Sequence, residues 1–146
     1  MCYAVFIATS TPQQTSEFVA GETLLYLAKP SEDELGGLKD KFNLPYIYYV
    51  GSDSQCSCGL EFHSQLFNDP EWQDSKPTVQ AFIDLLNHLT IENHIEYYCC
   101  WDGDWRESVE TTRIINSHDI SLEKNYFELI EREFIKFEKY IDHSNH

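Results

Sequence analysis

Residues 46–59 read YIYYVGSDSQCSCG, and this segment decides how the rest of the chain is interpreted. Its first five residues are aromatic or β-branched, which is typical of a buried strand. The next nine residues are bracketed by Gly51 and Gly59 and carry two thiols, Cys56 and Cys58. A strand that ends in such a turn leaves three interpretations open: a metal site, a redox-active thiol, or a tight turn filled with small side chains.

Around this segment, apolar and alternating patterns predict further strands, at residues 3–9, 23–28, 95–101 and 109–115, with a short one at 60–62. On the strand at 95–101, Glu96 and Cys100 share one face, and the charge of Glu96 marks this face as the wetter one. We therefore expect Cys100 to meet solvent. The dipeptide Asp102-Gly103 predicts a hairpin that returns the chain toward 109–115.

Two helices are predicted between the strands. A short one follows Ser31, where Glu34 completes a capping box, and the glycine pair at 36–37 weakens it. After an irregular loop at 64–76, a longer one begins near Pro77 and stops at Asn93. It carries an apolar stripe of Val79, Phe82, Ile83, Leu86 and Leu89.

The C-terminal segment fits two structures. An apolar stripe at 126, 130, 134, 137 and 141 favours one helix over residues 122–141, and Glu128 and Arg132 form a favourable i, i+4 pair in it. The alternative is two strands, 126–130 and 134–137, around a charged turn. Residues 142–146 are expected to be a frayed tail.

These patterns together predict one α+β domain over residues 1–146. Its sheet is mixed or mostly antiparallel, with two to three helices packed on one face. No stretch reaches the roughly 20 apolar residues that cross a bilayer, and the N-terminus has no basic region before its apolar run. We therefore expect a cytoplasmic protein that does not act at a membrane.

The net charge is −15, from 25 acidic and 10 basic residues. Such a surface repels phosphate backbones, which excludes nucleic acid as a partner. It favours cations or a basic protein as partner, and solubility alone is the plainer explanation. There is also no P-loop, no dinucleotide fingerprint and no nucleophile motif, so the sequence favours binding over catalysis.

The chain has five cysteines, an odd number that does not suit a secreted disulfide framework. Reduced thiols are therefore expected. Cys56 and Cys58 could share a zinc ion with further ligands from Cys2, His63 and Cys100, or Cys99 in place of Cys100. If Cys2 begins a strand antiparallel to residues 46–50, its thiol reaches the turn. Thiol-redox chemistry is the alternative, although residues 42–75 hold no Lys or Arg to stabilise a thiolate.

A second cluster is an acidic turn flanked by two tryptophans. It consists of Trp101, Asp102, Asp104, Trp105 and Arg106. Its carboxylates lack the spacing of a calcium loop. Asp is also common in turns simply because it favours them. Because Trp and Arg are frequent in interface hot spots, the cluster is a candidate surface for a basic protein partner.

The segments MCY at residues 1–3, GSDSQCSCG at 51–59 and CWDGD at 100–104 together resemble a family of small uncharacterised bacterial proteins. The resemblance covers these three short segments. It implies that the thiol turn and the Trp-Asp-Gly turn belong to one architecture, and it implies no catalytic residue.

Overall fold

The structure is a computed structural model that describes residues 2–139. Within this range the regular elements are β1 Tyr3–Thr9, β2 Leu25–Ala28, α1 Glu32–Leu38, β3 Tyr46–Ser52, α2 Lys76–Leu89, β4 Ile95–Trp101, β5 Thr111–Asn116 and β6 Glu133–Glu138. Short 3₁₀ helices fill several connections: Ser57–Leu60, Ser64–Leu66, Pro70–Ser75 and Ser117–Asp119. Neither α-helix in the described range is long and apolar enough to cross a bilayer.

The strands form one mixed sheet in the order β2-β3-β1-β4-β6-β5. All neighbours run antiparallel except β5 and β6, which run parallel. The α+β prediction is therefore confirmed. The central strand β1 pairs with β3 on one side and β4 on the other, so that Val5 lies opposite both Val50 and Cys99.

Helices cover both faces of the sheet, and the expectation of helices on one face was wrong. The predicted apolar stripe of α2 packs into the larger core, on the face that carries Val5 and Ile7. The opposite face carries Phe6 and is covered by Leu38 at the end of α1. Successive side chains of β1 point to opposite faces of the sheet, and both faces are buried. Nearly every residue of the strand is therefore apolar.

The second face of β4 is buried, which corrects the prediction that Glu96 and Cys100 meet solvent. Glu96 is 3% exposed, and its Oε1 accepts hydrogen bonds from the backbone N–H groups of Asn43 and Leu44, at 2.8 and 2.7 Å. Cys100 is fully buried. A buried carboxylate is tolerated here because two backbone donors replace its water.

Residues 102–107 form a tight turn but not the predicted hairpin. Gly103 adopts φ +101, and the N–H of Asp104 closes the turn on the carbonyl of Trp101 at 2.9 Å. The neighbours of β4 are β1 and β6, so β5 does not pair back onto it. The turn instead sends the chain across α1 to the far edge of the sheet.

The C-terminal helix prediction was wrong for the residues described. Residues 133–138 form β6, between β4 and β5, with Glu133, Ile135 and Phe137 buried in alternation. Arg132 turns the chain into it with φ 60. The alternative of two strands is correct for the second strand only, since residues 126–130 are irregular. Position 141 and the tail 142–146 lie outside the described residues.

Smaller differences concern the connections. The short strand expected at 60–62 is replaced by the end of a 3₁₀ helix, and the loop at 64–76 contains two more. The helix α2 ends at Leu89 rather than near Asn93. The capping box of Ser31 and Glu34 is present as predicted, and α1 is short.

Candidate thiol site

The site lies where β3 ends beside the beginning of β1. Because these strands run antiparallel, the residue before β1 lies next to the residues that follow β3. The turn after β3 is closed by two backbone hydrogen bonds, from Ser52 to the carbonyl of Cys56 at 3.1 Å and from Gln55 to the carbonyl of Ser52 at 3.0 Å. Gln55 adopts φ 76 to complete it.

Ser57, between the two cysteines of the turn, anchors it to the sheet. Its fully buried hydroxyl donates to the carbonyl of Val50 at 2.6 Å and accepts from the N–H of Val5 at 2.9 Å. The turn is thereby tied to both strands at once. Cys56 and Cys58, on either side of Ser57, are left half-buried.

The thiols of Cys2, Cys56 and Cys58 converge at this point. Their Sγ atoms all lie within 4.8 Å of one another. An ion bound to three sulfurs at about 2.3 Å each would hold them about 4 Å apart. The observed spacing therefore accommodates one metal ion with small side-chain adjustments. Cys2 is exposed, so the group opens to solvent on one side.

Hydrogen-bond donors are directed at the sulfurs. The N–H of Tyr3 donates to Sγ of Cys58 at 3.2 Å, and Ser54 Oγ lies 3.7 Å from Sγ of Cys56. The backbone of Cys58 also bonds the sulfur of Cys56. Such N–H donors stabilise negative sulfur, and hydrogen bonds to ligand sulfurs tune metal–thiolate centres.

The two turn thiols differ in acidity. Burial opposes ionisation of Cys56, but hydrogen bonds from Cys58, Ser54 and Cys2 outweigh burial and lower its pKa. Burial raises the pKa of Cys58 to about 12, and the neighbouring Cys56 adds to the shift. Three thiolates so close together repel one another, and a bound cation would relieve this repulsion.

The structure brings together three of the five predicted ligands. His63 Nδ1 lies 2.8 Å from Oε1 of Glu128, and its ring packs edge-to-face on Trp72 with centroids 5.1 Å apart. The bond to Glu128 raises the pKa of His63 despite partial burial. Within residues 2–139, the group of converging ligand atoms consists of the three thiols and does not include His63.

The adjacent cysteines of β4 also lie outside this group. Cys100 is buried on the α1 face, in the cluster that holds Phe6. Cys99 is buried in the larger core, beside Tyr97. Burial raises the pKa of the Cys100 thiol to about 12, and that of Cys99 is raised further. Both behave as small apolar side chains.

The acidic turn makes contacts within its own chain. Trp105 Nε1 donates to Oδ2 of Asp33 at 3.0 Å, and Arg106 Nη2 lies 2.8 Å from Oδ1 of the same carboxylate. These hydrogen bonds lower the pKa of Asp33. Trp101 stacks on Tyr3, with ring centroids 4.4 Å apart. Of the five predicted partner-binding residues, the three large side chains are therefore engaged internally.

The two carboxylates of the turn differ in exposure: Asp102 is exposed and Asp104 is half-buried.

Gly37 allows the turn to approach α1 closely, since a Cβ there would lie 2.5 Å from the backbone oxygen of Trp105. Lys41 reinforces the contact, because its Nζ donates to the carbonyls of Gly37 and Trp105 at 2.9 Å each.

Sequence reasoning missed the residues that support the thiols: Tyr3, Ser54 and Ser57. Tyr3 acts through its backbone N–H, and because every residue except proline has this group, the residue type at position 3 does not predict the contact. The serine between two cysteines could have been noticed, because alternation along an extended segment places it opposite their side chains.

Comparisons of the chain with protein-family models, curated proteins and solved structures found no match in any of the three. The resemblance of three short segments to small bacterial proteins gains no support from them. The chemistry of the site is therefore argued from its geometry.

Proposed function

We propose that the protein binds one soft metal ion through the thiolates of Cys2, Cys56 and Cys58. The observation that carries this proposal is the convergence of three Sγ atoms within 4.8 Å. Thiolates select Zn²⁺ and Cu⁺ among the common biological ions. Three protein ligands leave a further coordination position for zinc, which water or an incoming ligand can fill.

The surroundings support the same conclusion. Thiol packing alone does not account for backbone N–H donors directed at two half-buried sulfurs, from Tyr3 to Cys58 and from Cys58 to Cys56. A metal centre uses such donors to hold its ligands in place. Free thiols persist in a reducing compartment, so the proposal includes the cytoplasmic location expected from the sequence.

The test is metal analysis of protein purified anaerobically without an affinity metal. We expect binding of one zinc or copper ion per chain, retained through gel filtration. The variants Cys2→Ser, Cys56→Ser and Cys58→Ser should each lose most of the metal. His63→Gln is the matched control and should keep it, because His63 is bonded to Glu128. A wild-type protein that retains no metal even after loading would overturn the proposal.

Binding of a basic protein, which the charge of −15 favours, stays a prediction. The internal contacts of Trp105 and Arg106 with Asp33 leave mainly Asp102 and Asp104 of the acidic turn for such a partner. Reversing the charge of these two carboxylates and comparing captured partners tests it. An unchanged set of partners would contradict a binding role for the turn.

A further inference from the structure

The three thiols are not equivalent in access or support. Cys2 is exposed, whereas Cys56 and Cys58 are half-buried. The sulfur of Cys58 is fixed to the sheet by the N–H of Tyr3 at 3.2 Å. Cys99 and Cys100 are fully buried and cannot take part in chemistry at this surface. Oxidation of the group is therefore expected to be selective for particular thiols.

The chain spacing also limits which pair can be oxidised together. Cys56 and Cys58 are two residues apart at the start of a 3₁₀ helix, a short separation that strains a disulfide. Cys2 lies just before β1, outside the turn, so its thiol can approach the turn from another part of the chain. The Sγ atoms need to close from at most 4.8 Å to about 2 Å, a change within reach of side-chain rotation.

We propose that a hydroperoxide converts Cys2 and Cys56 into a disulfide and thereby releases the bound metal. The release rests on the proposed function, and the pairing rests on the geometry of the thiols alone. Cys58 keeps its thiol because Tyr3 holds it at the base of the group. A single remaining sulfur cannot retain the ion, so oxidation empties the site.

The reaction balances with hydrogen peroxide as the oxidant. The sulfur of Cys56 attacks one peroxide oxygen, the O–O bond breaks, and a sulfenic acid and one water form. The sulfur of Cys2 then attacks the sulfenic sulfur, and the hydroxyl leaves as a second water. The two sulfurs lose two electrons in total and peroxide gains them. The two waters take up the thiol protons in the metal-free protein, and two protons from solvent when the sulfurs start as metal-bound thiolates. A dithiol reductant reverses the change.

Geometry supports the choice of Cys56 as the attacked thiol. The sulfur of Cys58 accepts the N–H of Tyr3 at 3.2 Å, whereas the sulfur of Cys56 lies 3.7 Å from Oγ of the exposed Ser54 in its own turn. The turn itself need not move, because Ser57 fixes it to Val5 and Val50. Only the side chain of Cys2 has to rotate toward it.

The experiment treats zinc-loaded protein with one equivalent of hydrogen peroxide and measures two quantities together. A chromogenic chelator reports released zinc, and mass spectrometry of the non-reduced digest identifies the paired cysteines. We expect one zinc released per disulfide, a Cys2–Cys56 linkage, and uptake of zinc again after reduction. Metal-free wild type and metal-free Cys58→Ser should form the same disulfide, whereas Cys2→Ser and Cys56→Ser should not.

The outcomes separate this proposal from the proposed function. A Cys56–Cys58 linkage, a sulfinic acid without any disulfide, or a disulfide formed while zinc stays bound would overturn the redox proposal and leave metal binding intact. A protein that takes up neither zinc nor copper but forms the Cys2–Cys56 disulfide would overturn the proposed function and the release while confirming the pairing.

Discussion

The backbone N–H of Tyr3 donates a hydrogen bond to Sγ of Cys58 over 3.2 Å, across 55 positions of the chain. This contact joins the first residue of β1 to the turn that follows β3. It also fixes the chain direction at Cys2, the residue just before β1. The pairing of β1 with β3 therefore brings the three thiols together, and changes in this part of the sheet should alter the distances between their sulfur atoms.

Ser57→Ala is expected to weaken both the fold and the site. The change leaves the N–H of Val5 and the carbonyl of Val50 without their buried serine partner, which costs about 1–3 kcal/mol. Urea denaturation measures the loss. Ser54→Ala is the control, because Ser54 is exposed and should cost less. Equal effects of the two variants would contradict the anchoring role of Ser57.

Two adjacent glycines of α1 should respond in opposite ways to alanine. A Cβ on Gly37 would lie 2.5 Å from the backbone oxygen of Trp105, so Gly37→Ala displaces the acidic turn and is expected to destabilise by about 1–3 kcal/mol. A Cβ on Gly36 meets the flexible end of Arg106 at 3.1 Å. Gly36→Ala should be neutral or gain up to about 1 kcal/mol of helix propensity.

Chemical denaturation of both variants provides the comparison. Similar free energies of unfolding for Gly36→Ala and Gly37→Ala would show that the turn does not rest on α1 as described. The near-UV circular dichroism spectrum gives a second signal for displacement of the turn, because the indole of Trp105, which bonds to Asp33, contributes to it.

Two buried tyrosines form another matched pair. The hydroxyl of Tyr126 donates to the carbonyl of Leu60 at 2.5 Å, so Tyr126→Phe should lose about 1–2 kcal/mol. The hydroxyl of Tyr97 has no nitrogen or oxygen partner among residues 2–139 and lies near the weakly accepting sulfur of Cys99. Tyr97→Phe should therefore be neutral or stabilising. Thermal unfolding of both variants measures the difference, and a larger loss for Tyr97→Phe would refute it.

The pairing of His63 with Glu128 predicts a pH-dependent contribution to stability. The carboxylate raises the folded-state pKa of His63, so folding favours the protonated imidazole. The stabilisation is fully present below the unfolded pKa of about 6.5 and is lost as the pH rises through the higher folded value. Glu128→Gln should thus lower the melting temperature most between about pH 5 and 6.5.

Melting temperatures of wild type and Glu128→Gln across that range test this prediction. The effect is expected to be small, since 42% of the Glu128 side chain is exposed and solvent screens the pair. A difference that grows above pH 8 would show that His63 is not the group responsible.

The convergence of the three thiols could be predicted from the sequence because it depends on one antiparallel pairing. The apolar runs of β1 and β3 identify both strands, and Cys2 and Cys56 flank them. The position of His63 could not be predicted in the same way. Its partner Glu128 lies 65 residues away in an irregular segment, and no local sequence pattern predicts that contact.

The C-terminal strand shows a second limit of sequence patterns. Phe134 and Phe137 fit a helical stripe, while Ile135 and Phe137 fit strand alternation, so the apolar residues alone satisfy both periods. The choice is made by pairing: Ile95 and Tyr97 of β4 lie opposite Phe137 and Ile135. Likewise, the sequence pattern predicts a solvated face for Glu96, because its backbone donors, Asn43 and Leu44, are remote in sequence.

X-ray absorption spectroscopy of the zinc-loaded protein tests the central claim most directly, because it counts the sulfur atoms bound to the ion. We predict three sulfur ligands at about 2.3 Å and one lighter ligand, and only two sulfurs around the small amount of zinc that Cys58→Ser still retains. Cys2, Cys56 and Cys58 are the three atoms that the geometry brings within 4.8 Å. A wild-type spectrum with fewer than three sulfurs, or one unchanged in Cys58→Ser, would contradict the account.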